Sequence, residues 1–144
     1  MTRLSFRHEE DLSDNNMKLL HNSLGSKNSV VLQHAEYCGH CHAMRPEFEE
    51  FKKQVKHDIF EFESAVLQKL SQHPKVYKTV TPGNGSMYFP MIFVFVIVKG
   101  MSKPKRFLYE GPRTSEALKT FIKEKKGELS KAARPAKGQK KRKV

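Results

Sequence analysis

Cys38 and Cys41 are the only cysteines in the chain, and they stand two residues apart in the stretch HAEYCGHCHAMRPEF, His34 to Phe48. Three chemistries fit that arrangement. C-x-x-C can be a redox pair, C-x-x-C-H can attach a c-type haem with His42 as ligand, and cysteine with histidine can hold a metal ion. Two cysteines in a reducing compartment point to catalysis or metal binding more than to a structural staple.

The elements around the pair decide what it can do. SVVLQHA (Ser29 to Ala35) is a short β-branched run that reads as a buried strand and leads straight into the cysteines. After them Met44, Phe48, Phe51 and Val55 recur at spacings of four, three and four, the apolar stripe of a helix. Pro46 lies inside that helix, removes a backbone donor and is expected to kink it. Cys38 therefore falls at a strand-to-helix turn, where unpaired N–H groups and the helix dipole favour a thiolate. Cys41 falls one turn later and is less exposed. One cysteine attacks and the other resolves, and the two-residue spacing brings the sulfurs within bonding reach. Gly39 leaves the line of attack open. His40, when protonated, adds positive charge beside the Cys38 thiolate, which stabilises the dithiol and makes the disulfide more oxidising.

The remaining segments supply a domain for this site. RLSF (Arg3 to Phe6) reads as an edge strand. DLSDNNMKLLHNSLG reads as a helix capped by Ser13 or Asp14, with Met17, Leu20 and Leu24 on one face and Gly25 at its end. IFEFE (Ile59 to Glu63) alternates like a strand, and SAVLQKLSQH reads as a short helix ended by Pro74. Pro74 to Tyr88 is turn-rich and reads as a loop or small hairpin. MIFVFVIV is a strand buried on both faces. RFLYEG is the next strand, and TSEALKTFIKEKK is a last helix with Leu118, Phe121 and Ile122 inward. The order β-α-β-α-β-α-β-β-α predicts an α/β domain with one mixed central sheet flanked by helices.

At this point the chain resembles a known family. AEYCGHCHAMRPEFEEF is similar to the active-site segment of the thioredoxin-like superfamily, and the C-G-H-C form is that of protein disulfide isomerase domains. The resemblance runs from residue 3 to 124. It includes Tyr37, where the family usually has Trp, and Pro46, five residues past the second cysteine. YFPMIFVF resembles the family's cis-proline followed by a strand, with Pro90 as that proline. YEGPRTSEALKTFI resembles the closing strand, glycine turn and final helix, with Gly111 and Arg113 matching. The resemblance implies a thioredoxin fold and a thiol–disulfide oxidoreductase of the disulfide isomerase type. Cys38 would form a mixed disulfide with a protein substrate, and Cys41 would resolve it. Pro90 would pack on the pair, exclude a metal ion and orient the backbone of Phe89 toward a substrate strand beside Tyr37. No cofactor is implied beyond the Cys38–Cys41 disulfide itself. Arg113 is a surface charge at a helix start or, by the resemblance, a modulator of the site.

The chain departs from the family in two places. The family commonly buries an acid six residues before the first cysteine, as proton acceptor for the resolving thiol; Leu32 stands there. Strand alternation puts Gln33 on the opposite face, while His34 shares the face of Leu32 and would be the substitute that the resemblance calls for. The segment from Pro74 to Tyr88 is also longer than the usual approach to the cis-proline.

The rival chemistries fit less well. A haem needs an export route and a largely helical pocket, and this chain is strand-rich, so His42 reads as an ordinary helix residue. A zinc site needs two further ligands from scattered histidines, so no metal is expected. The other alternative is a thioredoxin-like interaction or structural component without redox activity.

Charge separates the domain from its tail. The net charge is +12, of which residues 125–144 carry nine Lys or Arg against one Glu. The mean hydropathy is −0.64, and the longest apolar run has eight residues, far short of a membrane span. The expected organisation is a thioredoxin-like domain over 1–126 and a disordered basic tail over 127–144. In that tail Lys140, Lys141, Arg142 and Lys143 resemble a nuclear-targeting patch or a sequence-nonspecific contact for nucleic acid or another acidic partner. With no apolar leader at the N-terminus, the expectation is an intracellular protein of the cytoplasm or nucleus. A virion component of a large cytoplasmic DNA virus would also suit this composition.

Overall fold

The computed structural model describes residues 1–82 and 87–133. Five strands form one sheet: β1 (Arg3–Phe6), β2 (Ser29–His34), β3 (Asp58–Glu63), β4 (Met91–Val96) and β5 (Lys105–Tyr109), in the order β1-β3-β2-β4-β5. β3 pairs in parallel with both β1 and β2, while β4 pairs antiparallel with β2 and β5. The mixed sheet is thus parallel where helices intervene and antiparallel at the closing hairpin. The helices are α1 (Asp14–Ser26), α2 (Gly39–Gln54), α3 (Ser64–Leu70), α4 (Pro74–Val80) and α5 (Ser115–Ala133), with one 3-10 turn at Glu9–Asp11.

Period-two alternation divides the core into two layers. Val31, Phe60, Phe62 and Phe93 face α1, α3 and α4, packing on Leu20, Val66, Leu70 and Val80. Val30, Leu32, Ile59, Ile92 and Val94 face α2 and α5, packing on Met44, Phe48, Phe51, Leu118 and Ile122. β2, β3 and β4 are buried at every position. The middle of the sheet therefore has no solvent face, and the chain leaves it only at the strand ends.

Polar side chains hold the ends of the elements. Ser13 caps α1 by accepting from the Asn16 amide. The Arg3 guanidinium donates to the carbonyls of Lys52, Val55 and His57, which satisfies the end of α2. Asp58 is buried and accepts from the Thr2 amide at 2.7 Å and the Ser23 hydroxyl at 2.6 Å.

The structure differs from the sequence reading in four places. Pro74 opens a helix instead of only closing one. It occupies the first turn of α4, where its fixed φ and missing donor cost nothing. The expected loop or hairpin from Pro74 to Tyr88 thus begins with a helix, because Val76 and Val80, four apart, bury in the core. Two residues remote in sequence seal its end: Gln33 donates to the Val80 carbonyl at 2.6 Å, and Arg106 donates to those of Lys78, Thr79 and Thr81. The turn around Pro82-Gly83-Asn84-Gly85 lies mostly outside the described residues. Third, α1 continues through Gly25 to Ser26 and stops at extended Lys27. Fourth, α5 passes the boundary expected at residue 126 and runs to Ala133. Leu129 packs on the α2–α5 layer, and a Cβ placed on Gly100 would lie 3.6 Å from that of Ala133. Residues 127–133 therefore belong to the domain and are not tail. Lys140, Lys141, Arg142 and Lys143 lie outside the described residues.

His57 sits where α2 meets β3, with both ring nitrogens enclosed and without a hydrogen-bond partner among the described residues. Burial, then the charges of Lys126 and Arg3, pushes its imidazole down to about 4 from 6.5, against a smaller opposing pull from Asp58. An unfolded histidine takes up a proton near 6.5, so the unfolded chain binds more protons between those values. Stability from this group is present above about pH 6.5 and is lost as pH falls toward 4. His57→Leu is expected to lessen the drop in urea midpoint between pH 7 and pH 4 relative to the unsubstituted chain; an unchanged drop would remove His57 as its source.

Candidate active site

β2 ends at His34, and the next four residues turn the chain into α2. Hydrogen bonds and an ion pair hold that turn in place. The Cys38 amide donates to the Ala35 carbonyl at 3.1 Å. The Glu36 amide donates to the Glu63 carboxylate, and Arg7 pairs with the Glu36 side chain. His42 reaches back from the first turn of α2 and donates through Nε2 to the Glu36 carbonyl at 2.7 Å. His42 is therefore more than an ordinary helix residue: it staples the loop that carries Cys38. Its spacing to Glu36 crosses the strand-to-helix turn, so helical periodicity gave no sign of the contact.

Cys38 is the N-cap of α2, and its Sγ accepts a hydrogen bond from the Cys41 amide at 3.1 Å. An N–H aimed at sulfur in a helix first turn is an interaction that a charged sulfur strengthens. Both cysteines are free thiols, 9% and 5% exposed respectively. The Cys38 thiol also lies 3.5 Å from the Phe89 carbonyl, to which it donates. The Phe89–Pro90 peptide bond is cis, and Phe89 packs on the small cluster of Ala35, Cys38 and Cys41. Tyr37 is 79% exposed and meets Phe89 edge-on, ring centres 6.5 Å apart. The two residues expected to touch a substrate thus form one aromatic rim beside the sulfur.

The other predicted residues are placed as follows. A Cβ on Gly39 would meet nothing within 4 Å, so the approach to Cys38 on that side is open. His40 is exposed in the first turn of α2. A Cβ on Gly111 would come within 2.7 Å of the Tyr109 hydroxyl, which itself donates to the Pro112 carbonyl, so any larger residue there would have to displace the Tyr109 ring. Arg113 is exposed and shares a cavity of about 280 Å³ with Tyr88 and Pro90.

Cys41 is the more deeply held thiol. Burial, then its hydrogen bond with Cys38, pushes it up to about 11, against an opposing backbone hydrogen bond at Ala35, with smaller charge effects from Cys38 upward and Arg113 downward. Leu32 leaves no acid on β2 beneath it, but a buried acid is present one strand away. Glu61 pairs with Leu32 across the β2–β3 ladder, is buried, and is bracketed by Arg45 and by Lys52 at 2.8 Å. Burial alone would raise its carboxyl, yet hydrogen bonds from Lys52 and Arg45 and their charges bring it below the usual carboxylate range. Sequence reasoning missed this triad because IFEFE resembles a half-exposed strand. Among the described residues, no group of three or more His, Cys, Asp or Glu is arranged to hold a metal ion, and no helix is long and apolar enough to cross a membrane.

Residues 12–124 match the thioredoxin family model. A probable protein disulfide-isomerase A6 from Medicago sativa is 33% identical over 96 residues, which cover 67% of this chain and 24% of that protein. The chain thus matches only about a quarter of the length of this relative. Among solved structures, the J-Trx1 fragment of ERdj5 superposes with a TM-score of 0.54 at 21% identity, covering 83% of this chain and 50% of that one. The Trx4 domain of ERdj5 gives 0.54 at 14% identity, with coverages of 85% and 96%. At these identities the two structures carry the fold alone.

The geometry orders the reactivity of the two thiols. Iodoacetamide at pH 8 is expected to modify Cys38 at least tenfold faster than Cys41, whose thiolate fraction there is on the order of 10⁻³. Peptide mass spectrometry against time would check this, with equal rates refuting it.

Proposed function

The chain belongs to the thioredoxin family, and on that footing we propose that it is a thiol–disulfide oxidoreductase acting on protein substrates through Cys38 and Cys41. The observation that carries the reading is the Cys38 sulfur at the N-cap of α2, hydrogen-bonded to the Cys41 amide beside the Tyr37–Phe89 rim. In the reducing direction the Cys38 thiolate attacks a client disulfide, and one client sulfur leaves as thiolate. Cys41, deprotonated, then attacks Cys38 Sγ. The Cys38–client bond breaks, the second client sulfur leaves, and the protein retains the Cys38–Cys41 disulfide. Two electrons pass to the client; the reverse sequence oxidises a client dithiol. The isomerase-like character rests on the C-G-H-C pattern, where His40 would favour the dithiol state. Pro90 and Phe89 would present backbone to an extended client segment.

The tail is the second part of the proposal. Residues 134–144 contain six Lys or Arg and no acid, a composition suited to an acidic partner or nucleic acid. The course of α5 supports a tether that does not obstruct the site. It begins beside Glu47 of α2, whose carboxylate accepts from the Ser115 amide, and ends against Gly100 beyond the far end of β4. At 1.5 Å per residue it carries the chain about 28 Å away from the Cys38 end.

Two measurements test these readings. Cys41→Ser is expected to accumulate mixed disulfides with client proteins on non-reducing gels, and Cys38→Ser to abolish them. If neither forms any, and the unsubstituted chain cannot reduce or oxidise a test protein, the oxidoreductase reading is wrong. Removal of 134–144, which leaves α5 intact, is expected to flatten the salt dependence of binding to a DNA duplex; an unchanged slope overturns the tail's role.

A further inference from the structure

We infer that His34 is the proton acceptor for Cys41 in the resolving step, acting through the cavity that the two residues share. The inference rests on the oxidoreductase reading and concerns how its second step is made possible.

His34 and Cys41 both line a cavity of about 210 Å³, whose other walls are Arg7, Ala35, Glu36, His42 and Arg45. That volume has room for several waters, and the walls offer polar groups to hold them. His34 is the last residue of β2, is 6% exposed, and lies on the same face of the sheet as Leu32, toward α2. Its ring makes no hydrogen bond with the described residues. A buried imidazole without a hydrogen-bond partner among the described residues, beside a solvent-sized space, is a group that can accept a proton.

Neighbouring groups are committed elsewhere. Glu61 is occupied by Arg45 and Lys52. Glu63 accepts from the amides of Glu36 and Ala65 and from the Ser64 hydroxyl. His42 uses Nε2 to hold the Glu36 carbonyl, and Glu36 pairs with Arg7. The charges facing His34 are thus Arg45 on α2, Glu61 and Glu63 on β3, and Arg7 after β1. Burial first, then Arg45, lowers the imidazole from its ordinary value of 6.5, with Arg7 assisting and Glu61 and Glu63 opposing. His34 is therefore neutral at pH 7, the form that can take a proton.

The step balances simply. The Cys41 S–H proton passes through cavity water to His34, and the Cys41 thiolate attacks Cys38 Sγ in the mixed disulfide. The Cys41–Cys38 bond forms, the Cys38–client bond breaks, and the client sulfur leaves as thiolate. His34 then returns its proton to solvent through the cavity mouth.

Reaction of the reduced full chain with dithiobis(nitrobenzoate) separates the two thiols. The first nitrothiobenzoate is released when Cys38 attacks the reagent, the second when Cys41 attacks Cys38 Sγ. His34→Gln and His34→Ala are expected to slow the second release by about 10² relative to the first at pH 7, and added imidazole to restore part of the rate in His34→Ala. In the unsubstituted chain, the second release should fall with acidification below pH 6.5, with a limb that His34→Gln lacks. The inference is overturned if both variants keep the original ratio of second to first release, or if the unsubstituted chain and His34→Gln share one pH profile. A chain with no first release overturns the oxidoreductase reading instead, so the two failures are distinct.

Discussion

The hydrogen bond from the Cys41 amide to the Cys38 sulfur is the contact on which the site depends. It exists only because Cys38 is the N-cap of α2, and Cys38 holds that position only because β2 ends where it does. β2 is buried along its whole length, fixed by parallel pairing to β3 on one side and antiparallel pairing to β4 on the other. A slip of one residue would turn Val30 and Leu32 to the wrong layer. The register of a buried strand thus sets the position of a sulfur four residues beyond it. The antiparallel neighbour completes the arrangement: β4 begins at Met91, directly after Pro90, which puts the Phe89 carbonyl against the same sulfur.

The same burial has an electrostatic consequence. A sheet with no solvent face allows charges in its middle only when they are paired, since an unpaired buried ion costs several kcal/mol. β3 carries three acids, and each is matched: Asp58 by a hydroxyl and an amide, Glu61 by Arg45 and Lys52, Glu63 by amides and the Ser64 hydroxyl. Arg45 and Lys52 come from α2, so the helix that presents the cysteines also neutralises the strand beneath it. This couples redox geometry to fold stability, because withdrawing α2 would leave Glu61 buried and unpaired.

Much of this was legible from local pattern. The cysteine spacing, the strand before it, the stripe Met44–Phe48–Phe51 and the proline before an apolar strand each depend on residues close in sequence. What was missed depends on residues far apart. α4 is sealed by Gln33 and Arg106, forty-seven and twenty-five or more residues away from the carbonyls they bind. Glu61 resembles a surface residue until Arg45 and Lys52 fold over it. The last turns of α5 have little apolar content, and their support comes from Leu129 on the core and from the close passage of Ala133 by Gly100. His42 illustrates the limit at short range: only the turn geometry brings its ring to the Glu36 carbonyl.

The burial that organises the site also sets a kinetic problem for it. In the reduced chain the Cys41 thiol is pushed up to about 11 with burial as the first cause, and that burial remains when Cys38 is bonded to a client. In the proposed cycle a mixed disulfide persists until Cys41 is deprotonated, and during that time a second client thiol can attack it. Slow resolution therefore favours rearrangement of client disulfides, while fast resolution favours net reduction. With His34 as the proposed proton acceptor, that balance would be set in the cavity that Cys41 shares with His34 and Arg45, because access of a base to Cys41 determines how long the mixed disulfide lives. Arg45, fixed by Glu61, adds to burial in lowering the imidazole, so in the proposed cycle a charge pair that serves the fold would also bias rearrangement against net reduction.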